Sequence, residues 1–190
     1  MYFQNYKKLL DALSILRKKF NLYGIKAEYE AEGSSNHDIN LLRAITLKAK
    51  TKIFVKIGGV EAINDIYSCL EIGVDGIIAP MVESKFGVYK FIEATREFNI
   101  SKKIFLAINI ETQNGVQNIN QILDEAKTKI HGITIGRSDL SASYFTKKIT
   151  ADSSYITDKI SNLSSTIKDK YKFKLTIGGS VNKKTLKIFK

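Results

Sequence analysis

The chain has 190 residues and 44% hydrophobic content, which suits a single folded domain over residues 1–190 and excludes overall disorder. Its 30 basic residues exceed its 19 acidic residues by 11, but the lysines are scattered, which favours a solvated surface over a nucleic-acid interface. Because Cys69 is the only cysteine, an intrachain disulfide and a cysteine-based metal site are excluded, and we expect a reducing, cytoplasmic location.

The first predicted element is an amphipathic leading helix within residues 1–23. Four apolar residues recur there at helical spacing, namely Leu9, Leu13, Leu16 and Phe20. Gly24 follows at a suitable helix end. Neither this segment nor any other reaches the roughly 18 to 20 consecutive apolar residues of a membrane span, so we expect no membrane partner.

Six short apolar runs follow, each separated from the next by a longer segment of helical period. The strand candidates are Ile25–Glu30, Lys52–Ile57, Gly76–Pro80, Ile104–Glu111, Gly132–Gly136 and Lys174–Gly178. Regular alternation of strands and helices indicates βαβ units and a parallel sheet. Most of the runs are continuously apolar, as expected where helices cover the sheet. We therefore predict an α/β fold whose candidate site lies at the carboxyl ends of the strands.

The first strand candidate carries charges at alternate positions, at Lys26, Glu28, Glu30 and, just beyond it, Glu32. In a strand these side chains point to one face. One interpretation is that the distal carboxylates line a polar barrel mouth, compensated by a metal, a lysine or water. The other is a half-exposed strand with a solvated acidic face.

Two later strands end in side chains suited to a hard cation. Asn109 and Glu111 share one face at the end of the fourth strand candidate, and Asp139 follows the fifth. Neighbouring parallel strands can bring two carboxylates to one ion, which predicts a Mg²⁺ or Mn²⁺ site. Helix capping by Asp139 and by Thr112 is the alternative. The two histidines, His37 and His131, have the sequence context of surface residues, which disfavours a histidine-based zinc site.

Lys56 is a lone cation at the end of a buried strand. It could stabilise developing negative charge or, if it lost its proton, act as a Schiff-base nucleophile. A salt bridge to a glutamate of the first strand is the third alternative, and it is compatible with either role.

Three segments resemble the HpcH/HpaI aldolase and citrate lyase family of metal-dependent barrel enzymes. They are Ala79–Ser84, Ile108–Thr112 and Ile135–Ser143, in the family's order. The resemblance extends from about Gly24 to Val181, and it implies a TIM-barrel-like parallel sheet with six visible βα units. A complete barrel has eight strands and runs to about 250 residues. We therefore predict an incomplete or truncated barrel. Either the leading helix and a partner subunit of a homo-oligomer cover the open edge, or the sequence is a piece of a longer protein.

The resemblance implies that Glu111 and Asp139 bind a divalent cation, Mg²⁺ or Mn²⁺, which holds a 2-keto acid or a related acyl substrate. The metal then stabilises an enolate while a carbon–carbon bond forms or breaks. Four further residues are implied to contact the substrate: Asn109, Gly136, Arg137 and Ser138. Lys56 stands where the family has an enolate-neutralising arginine, so it keeps the charge but loses the bidentate fork. Asn109 stands in place of a glutamine.

One departure concerns the acid/base group, because Ala31 occupies the place of the aldolases' histidine. Glu30, which aligns with the glutamate before that histidine, is the predicted replacement, with Glu32 or a water on the metal as alternatives. The leading hypothesis is a metal-dependent carbon–carbon lyase or aldolase. A non-catalytic homologue acting as a binding or regulatory subunit is the second, and a basic nucleic-acid-binding module is the third.

Overall fold

The computed structural model describes residues 2–96, 104–127 and 129–188. The described residues form six strands: β1 (Gly24–Glu28), β2 (Lys52–Lys56), β3 (Gly76–Ala79), β4 (Phe105–Ile110), β5 (Gly132–Gly136) and β6 (Lys174–Gly178). Their helices are α1 (Tyr2–Phe20), α2 (Asn36–Ala49), α3 (Ile63–Ile72), α4 (Lys85–Arg96), α5 (Gln113–Gln117), α6 (Ile119–Ala126), α7 (Arg137–Ala142), α8 (Ser154–Ser165) and α9 (Lys183–Ile188). A π-helical turn at Thr166–Lys170 extends α8.

The chain divides into two compact units. Of the described residues, the first unit holds 2–58, 62–78 and 104, and the second holds 59–61, 79–96, 105–127 and 129–188. The prediction of a single domain stays a prediction. Among the described helices, none has both the length and the hydropathy that a membrane span requires.

In the first unit, β2 pairs in parallel with both β1 and β3. The register places Glu28 of β1 opposite Lys56 of β2. These are the last residues of their strands, and parallel strands end at the same edge of a sheet. A carboxylate and an ammonium group therefore meet at the carboxyl edge of this unit.

The leading helix α1 packs against α2 through a small apolar cluster in the first unit. Its buried members are Leu13, Ile45 and Ala49. Tyr6 and Leu10 pack against the same cluster, so the covered face is centred about a sixth of a turn from the predicted stripe. The other three residues of that stripe, Leu9, Leu16 and Phe20, are exposed.

In the second unit, β5 pairs in parallel with both β4 and β6. The register places Asn109 of β4 opposite Thr134, and Gly136 of β5 opposite Gly178. From Leu106 to Ile110, β4 is buried throughout. A polar residue at its end therefore lies at the boundary between the apolar core and the loops.

The predicted fold class is confirmed: the chain is an α/β protein with parallel strands of the TIM-barrel type, six of them in the described residues. Several strands end one or two residues earlier than predicted, and β1 differs most because it ends at Glu28. Backbone hydrogen bonds from Gly33 to Glu30 and from Ser34 to Glu28 close a turn there. Gly33 has a φ of +61°, a conformation that glycine adopts readily. Glu30 and Glu32 thus lie in the turn after the strand.

Candidate active site

Lys56 forms a buried ion pair with Glu28 in the first unit. The Nζ of Lys56 lies 2.8 Å from Oε2 of Glu28, and Glu28 is only 5% exposed. Lys26 contacts the other carboxylate oxygen of Glu28. This arrangement is the salt bridge weighed as an alternative for Lys56, and it holds a positive charge at the strand end.

Glu30 is exposed in the turn after β1, and its carboxylate lies beside Gly58. A Cβ atom at Gly58 would lie 3.0 Å from Oε1 of Glu30, which is closer than an ordinary van der Waals contact. The Gly58 N–H donates to Oδ2 of Asp65 at 2.7 Å. Ala31, in the place of the family's histidine, is also exposed. The predicted acid/base residue is thus a solvent-facing carboxylate in the turn after β1.

Glu111 is a buried carboxylate directly after β4 in the second unit. It is 2% exposed, and Oε1 accepts a hydrogen bond from the Met81 N–H at 3.0 Å. Oε2 accepts from Nδ2 of Asn109 at 3.1 Å. On its third side, a Cβ atom added at Gly136 would lie 2.5 Å from Oε2. Two hydrogen-bond donors therefore hold the carboxylate in place, and it occupies space that a side chain at position 136 would fill.

In the side-chain amide of Asn109, the nitrogen is hydrogen-bonded but the oxygen is not. Its Nδ2 donates to Glu111, whereas its buried Oδ1 has no hydrogen-bond partner among the described residues. The carboxylate determines this orientation, because a flipped amide would place two acceptor oxygens together. A buried carbonyl oxygen without a partner normally indicates a donor, a water or an ion at that position.

The surroundings of Glu111 fit a hard divalent cation. Within the part of the chain that the structure describes, no lysine, arginine or histidine forms an ion pair with this carboxylate. A buried charge without a counterion is unfavourable. Carboxylate and amide oxygens are the ligands that Mg²⁺ and Mn²⁺ prefer, with water and substrate oxygens at the remaining positions. The same described ranges contain no cluster of three or more Asp, Glu, His or Cys residues arranged for a metal.

Asp139 is exposed in the first turn of α7. No hydrogen bond or ion pair of its carboxylate is present among the described residues, and α7 has no side-chain cap. Thr112, by contrast, caps α5 by accepting a hydrogen bond from the Gly115 N–H. Thr112 therefore acts as a helix cap, as the alternative interpretation predicted, but Asp139 does not. The Asp139 carboxylate is available for a ligand.

Arg137 and Ser138 begin α7, and their side chains differ in environment. The guanidinium of Arg137 is completely buried and hydrogen-bonded to the protein. Oγ of Ser138 lies 3.0 Å from Oγ of Ser180, in the loop after β6. The predicted substrate contacts of both residues stay predictions, but only the Ser138 side chain is partly exposed.

Met81 is a residue of this site that the sequence did not single out. Its φ of +50° is unusual for a residue with a side chain, and this conformation directs its N–H to Glu111. The neighbouring N–H of Val82 donates to the Asn109 carbonyl. The segment Ala79–Ser84 carried part of the family resemblance, but a backbone donor leaves no signal in residue type.

Cys69 does not contribute a nucleophile. Burial, the largest cause, raises the pKa of its thiol to about 12. Burial likewise raises the pKa of the nearby Tyr29 hydroxyl. At neutral pH the thiol stays protonated, and a protonated thiol is a poor nucleophile.

Comparisons with known proteins agree with this fold. An HpcH/HpaI aldolase/citrate lyase family protein from Burkholderia cenocepacia J2315 aligns with a TM-score of 0.66 at 11% identity, over 90% of this chain and 83% of that one. The citrate synthase SbnG aligns with a TM-score of 0.71 at 16% identity, over 94% and 76%. An HpcH/HpaI aldolase from Desulfitobacterium hafniense DCB-2 aligns with a TM-score of 0.65 at 16% identity, over 95% and 85%.

At these identities the structural likeness shows the fold alone. A comparison with curated proteins found no match. The family model described as HpcH/HpaI aldolase/citrate lyase matches residues 31–163, which is more than half of the chain and includes β2, β3, β4 and β5. The chain belongs to the HpcH/HpaI aldolase/citrate lyase family.

Proposed function

We propose that this chain is a divalent-metal-dependent carbon–carbon lyase or aldolase that acts on a 2-keto acid or a related acyl substrate. The observation that carries the proposal is the environment of Glu111. This buried carboxylate is held by two N–H donors, has no cationic partner among the described residues, and adjoins the unpartnered Oδ1 of Asn109. Such a group is stabilised by a bound cation.

Glu111 and Asp139 would hold the cation, which supplies Lewis-acid stabilisation of negative charge on a substrate oxygen. Gly136 leaves the space in which the Glu111 carboxylate lies. Oδ1 of Asn109 would accept a hydrogen bond from a water or a substrate hydroxyl. The oxygen-only donor set supports Mg²⁺ or Mn²⁺ rather than zinc.

Two catalytic roles remain proposals from the family resemblance. Lys56 would offset negative charge on the enolate, and its ion pair with Glu28 supports this role by holding the Lys56 side chain at the carboxyl end of β2. Glu30 would act as acid or base, and its exposed carboxylate supports ready exchange of protons with water.

The family and its structural neighbours support the reaction class. The neighbours are named as aldolases and a citrate synthase, and we propose a reaction of the same general kind for this chain. Either direction of carbon–carbon bond chemistry is compatible with the residues present, because both directions pass through the same transition state.

Isothermal titration with MgCl₂ and MnCl₂ tests the metal site. We expect the wild type to bind one ion, and Glu111→Gln and Asp139→Asn each to weaken binding by at least about tenfold. Asp158→Asn is the matched control, because Asp158 is an exposed helical aspartate of the same unit. Absence of binding by the wild type, or equal binding by all four proteins, would overturn the proposal.

A non-catalytic homologue is the second candidate, favoured by Ala31 in the histidine place and by the exposure of Glu30. Exchange of the pyruvate methyl protons in D₂O, followed by ¹H NMR, separates the two candidates. Metal-dependent exchange above the Glu111→Gln background supports the enzyme. Metal binding without exchange, together with no turnover on a panel of pyruvate and aldehydes, supports the binding subunit.

A further inference from the structure

The guanidinium of Arg137 connects two loops of the second unit. Nε and Nη2 both donate to the Gly179 carbonyl, at 3.0 and 2.9 Å, and Nη2 also donates to the Ser180 carbonyl at 2.8 Å. Nη2 further donates to Oγ1 of Thr185. Nη1 donates to the Ala151 carbonyl and to Oδ1 of Asp152. The side chain thus ties the loop after β6 to the segment before α8.

This bonding leaves Arg137 little capacity to bind a ligand directly. The residue is 0% exposed, and each of its three guanidinium nitrogens already donates to the protein. Three of the acceptors are backbone carbonyls in irregular segments, which would otherwise need water or another donor. Burying a charge in this way is unfavourable unless its hydrogen bonds are satisfied. The arrangement therefore acts on the position of the loops.

The loop that Arg137 holds lies directly against the first turn of α7. A Cβ atom at Gly179 would lie 2.6 Å from the Ser138 backbone nitrogen, and Gly179 has a φ of +78°. Ser180 also has a positive φ, of +51°, which is unfavourable for a residue with a side chain. Strained conformations of this kind concentrate at functional positions. The strain places the Ser180 hydroxyl 3.0 Å from that of Ser138.

The hydroxyls of Ser138 and Ser180 form one hydrogen bond, and one O–H hydrogen of the two remains without an acceptor in the part of the chain that the structure describes. Each serine has one O–H hydrogen, and their mutual hydrogen bond uses one of the two. Among the described residues, neither hydroxyl has another hydrogen-bond partner. The pair therefore presents a free O–H donor, which recognises an acceptor such as a carboxylate oxygen. Ser138 immediately precedes Asp139, the proposed metal ligand.

We propose that Ser180 is a specificity residue that, together with Ser138, binds a carboxylate oxygen of the substrate, and that Arg137 is the positioning residue that holds Ser180 in place. This inference rests on the proposed function, because it takes the substrate to be a carboxylic acid bound next to the metal. It adds the loop after β6 to the substrate site.

Oxalate, a small dicarboxylate that resembles the pyruvate enolate, is the probe. Its binding is measured by isothermal titration with the Mg²⁺-saturated protein, after a separate Mg²⁺ titration. We expect Ser180→Gly and Ser180→Ala to weaken oxalate binding about tenfold, as expected when one hydrogen bond to a charged group is lost, with Mg²⁺ affinity unchanged. Ser161→Ala, which removes an exposed hydroxyl from α8, is the matched control and keeps wild-type affinity.

Ser180→Gly separates binding from a structural role. Glycine relieves the positive φ, so the melting temperature stays equal to that of the wild type or rises while oxalate affinity falls. A purely structural serine would give unchanged oxalate affinity in this variant. Arg137→Lys, which keeps the charge but cannot reproduce the fork, should weaken oxalate binding as well.

The outcomes distinguish this inference from the function on which it rests. If the wild type binds Mg²⁺ and the Ser180 variants bind oxalate as tightly as it does, the inference is wrong and the proposed function stands. If the wild type binds no divalent metal, both are wrong. Because both Ser180 variants are small changes at an exposed residue, the test does not depend on whether the Arg137 variant folds.

Discussion

Glu28 and Glu111 are both buried carboxylates at strand ends, but they are stabilised in opposite ways. Glu28, in the first unit, lies between the ammonium groups of Lys26 and Lys56. Glu111, in the second unit, accepts hydrogen bonds from the Met81 N–H and the Asn109 amide, and no cation of the described residues pairs with it. Burial alone therefore does not identify a metal ligand. The missing counterion distinguishes Glu111 from Glu28.

The largest expected effect comes from breaking the ion pair of Glu28. Lys56→Met should lower the free energy of unfolding by about 3 kcal/mol, because removing one partner leaves a buried carboxylate with only the half-exposed Lys26. Urea denaturation measures it. Lys127→Met is the control, because both partners of the Lys127–Asp124 pair are exposed and the pair should contribute much less to stability. Equal losses in the two variants would contradict the contrast between buried and exposed pairs.

The second largest effect is expected for the stabilisation by Mg²⁺, which should depend on Glu111 and not on Glu28. Added Mg²⁺ at about 100 times its dissociation constant should stabilise the wild type by about 2.7 kcal/mol. Glu111→Gln should reduce this increment to about 1.4 kcal/mol or less at the same Mg²⁺ concentration, whereas Glu28→Gln should retain it despite a lower baseline stability. Thermal unfolding with and without MgCl₂ measures both. Loss of the increment in Glu28→Gln alone would mean that the metal binds at Glu28 rather than at Glu111.

Gly136→Ala tests whether the Glu111 carboxylate needs the space next to Gly136. The added Cβ would lie 2.5 Å from Oε2, so the carboxylate must move, and we expect Mg²⁺ affinity to fall by at least about tenfold. Gly87→Ala is the matched control in α4, where the new Cβ meets Oγ of Ser84 at an ordinary 3.6 Å. That variant should keep its Mg²⁺ affinity and gain up to about 1 kcal/mol of stability. Titration calorimetry compares the two, and equal affinities would remove Gly136 from the site.

The smallest effect is expected at Cys69 in the first unit, which should be inert in the folded protein. Its thiol should react with Ellman's reagent at pH 8 only after urea unfolds the chain. Since burial raises its pKa to about 12, from the 9.0 of an exposed thiol, this group contributes stability below pH 9. That contribution is lost as the pH rises from 9 towards 12. Rapid labelling of the folded chain at pH 8 would contradict the burial of this side chain.

Most of the fold could be predicted from residue pattern. Apolar runs of strand length alternate with segments of helical period. The structure has strands and helices at these places because the pattern reflects which faces are buried. The end of β1 could not be predicted, because alternation of charge continues through Glu30 and Glu32 while the backbone turns at Gly33. Alternation describes side-chain direction only as long as the chain stays extended.

The candidate site could be predicted in part for the same reason. Asn109 and Glu111 are two residues apart at the end of one strand candidate, so their shared face could be inferred, and the contact between them is present. The direction of the Arg137 side chain could not be predicted in this way. An arginine that follows a strand is expected near the site, but its direction depends on carbonyl groups of Gly179 and Ser180, some forty residues later in the chain.

The sequence by itself determined the order of the six strands, the family resemblance, and the polar residues at or near the strand ends, because these depend on local periodicity and residue type. The tertiary structure decided which carboxylate has a counterion. The register of β1 on β2 places Glu28 opposite Lys56, and the backbone of Met81 together with the open face of Gly136 surrounds Glu111. Charge compensation in a protein interior depends on distances between segments, and those distances follow from packing rather than from residue type.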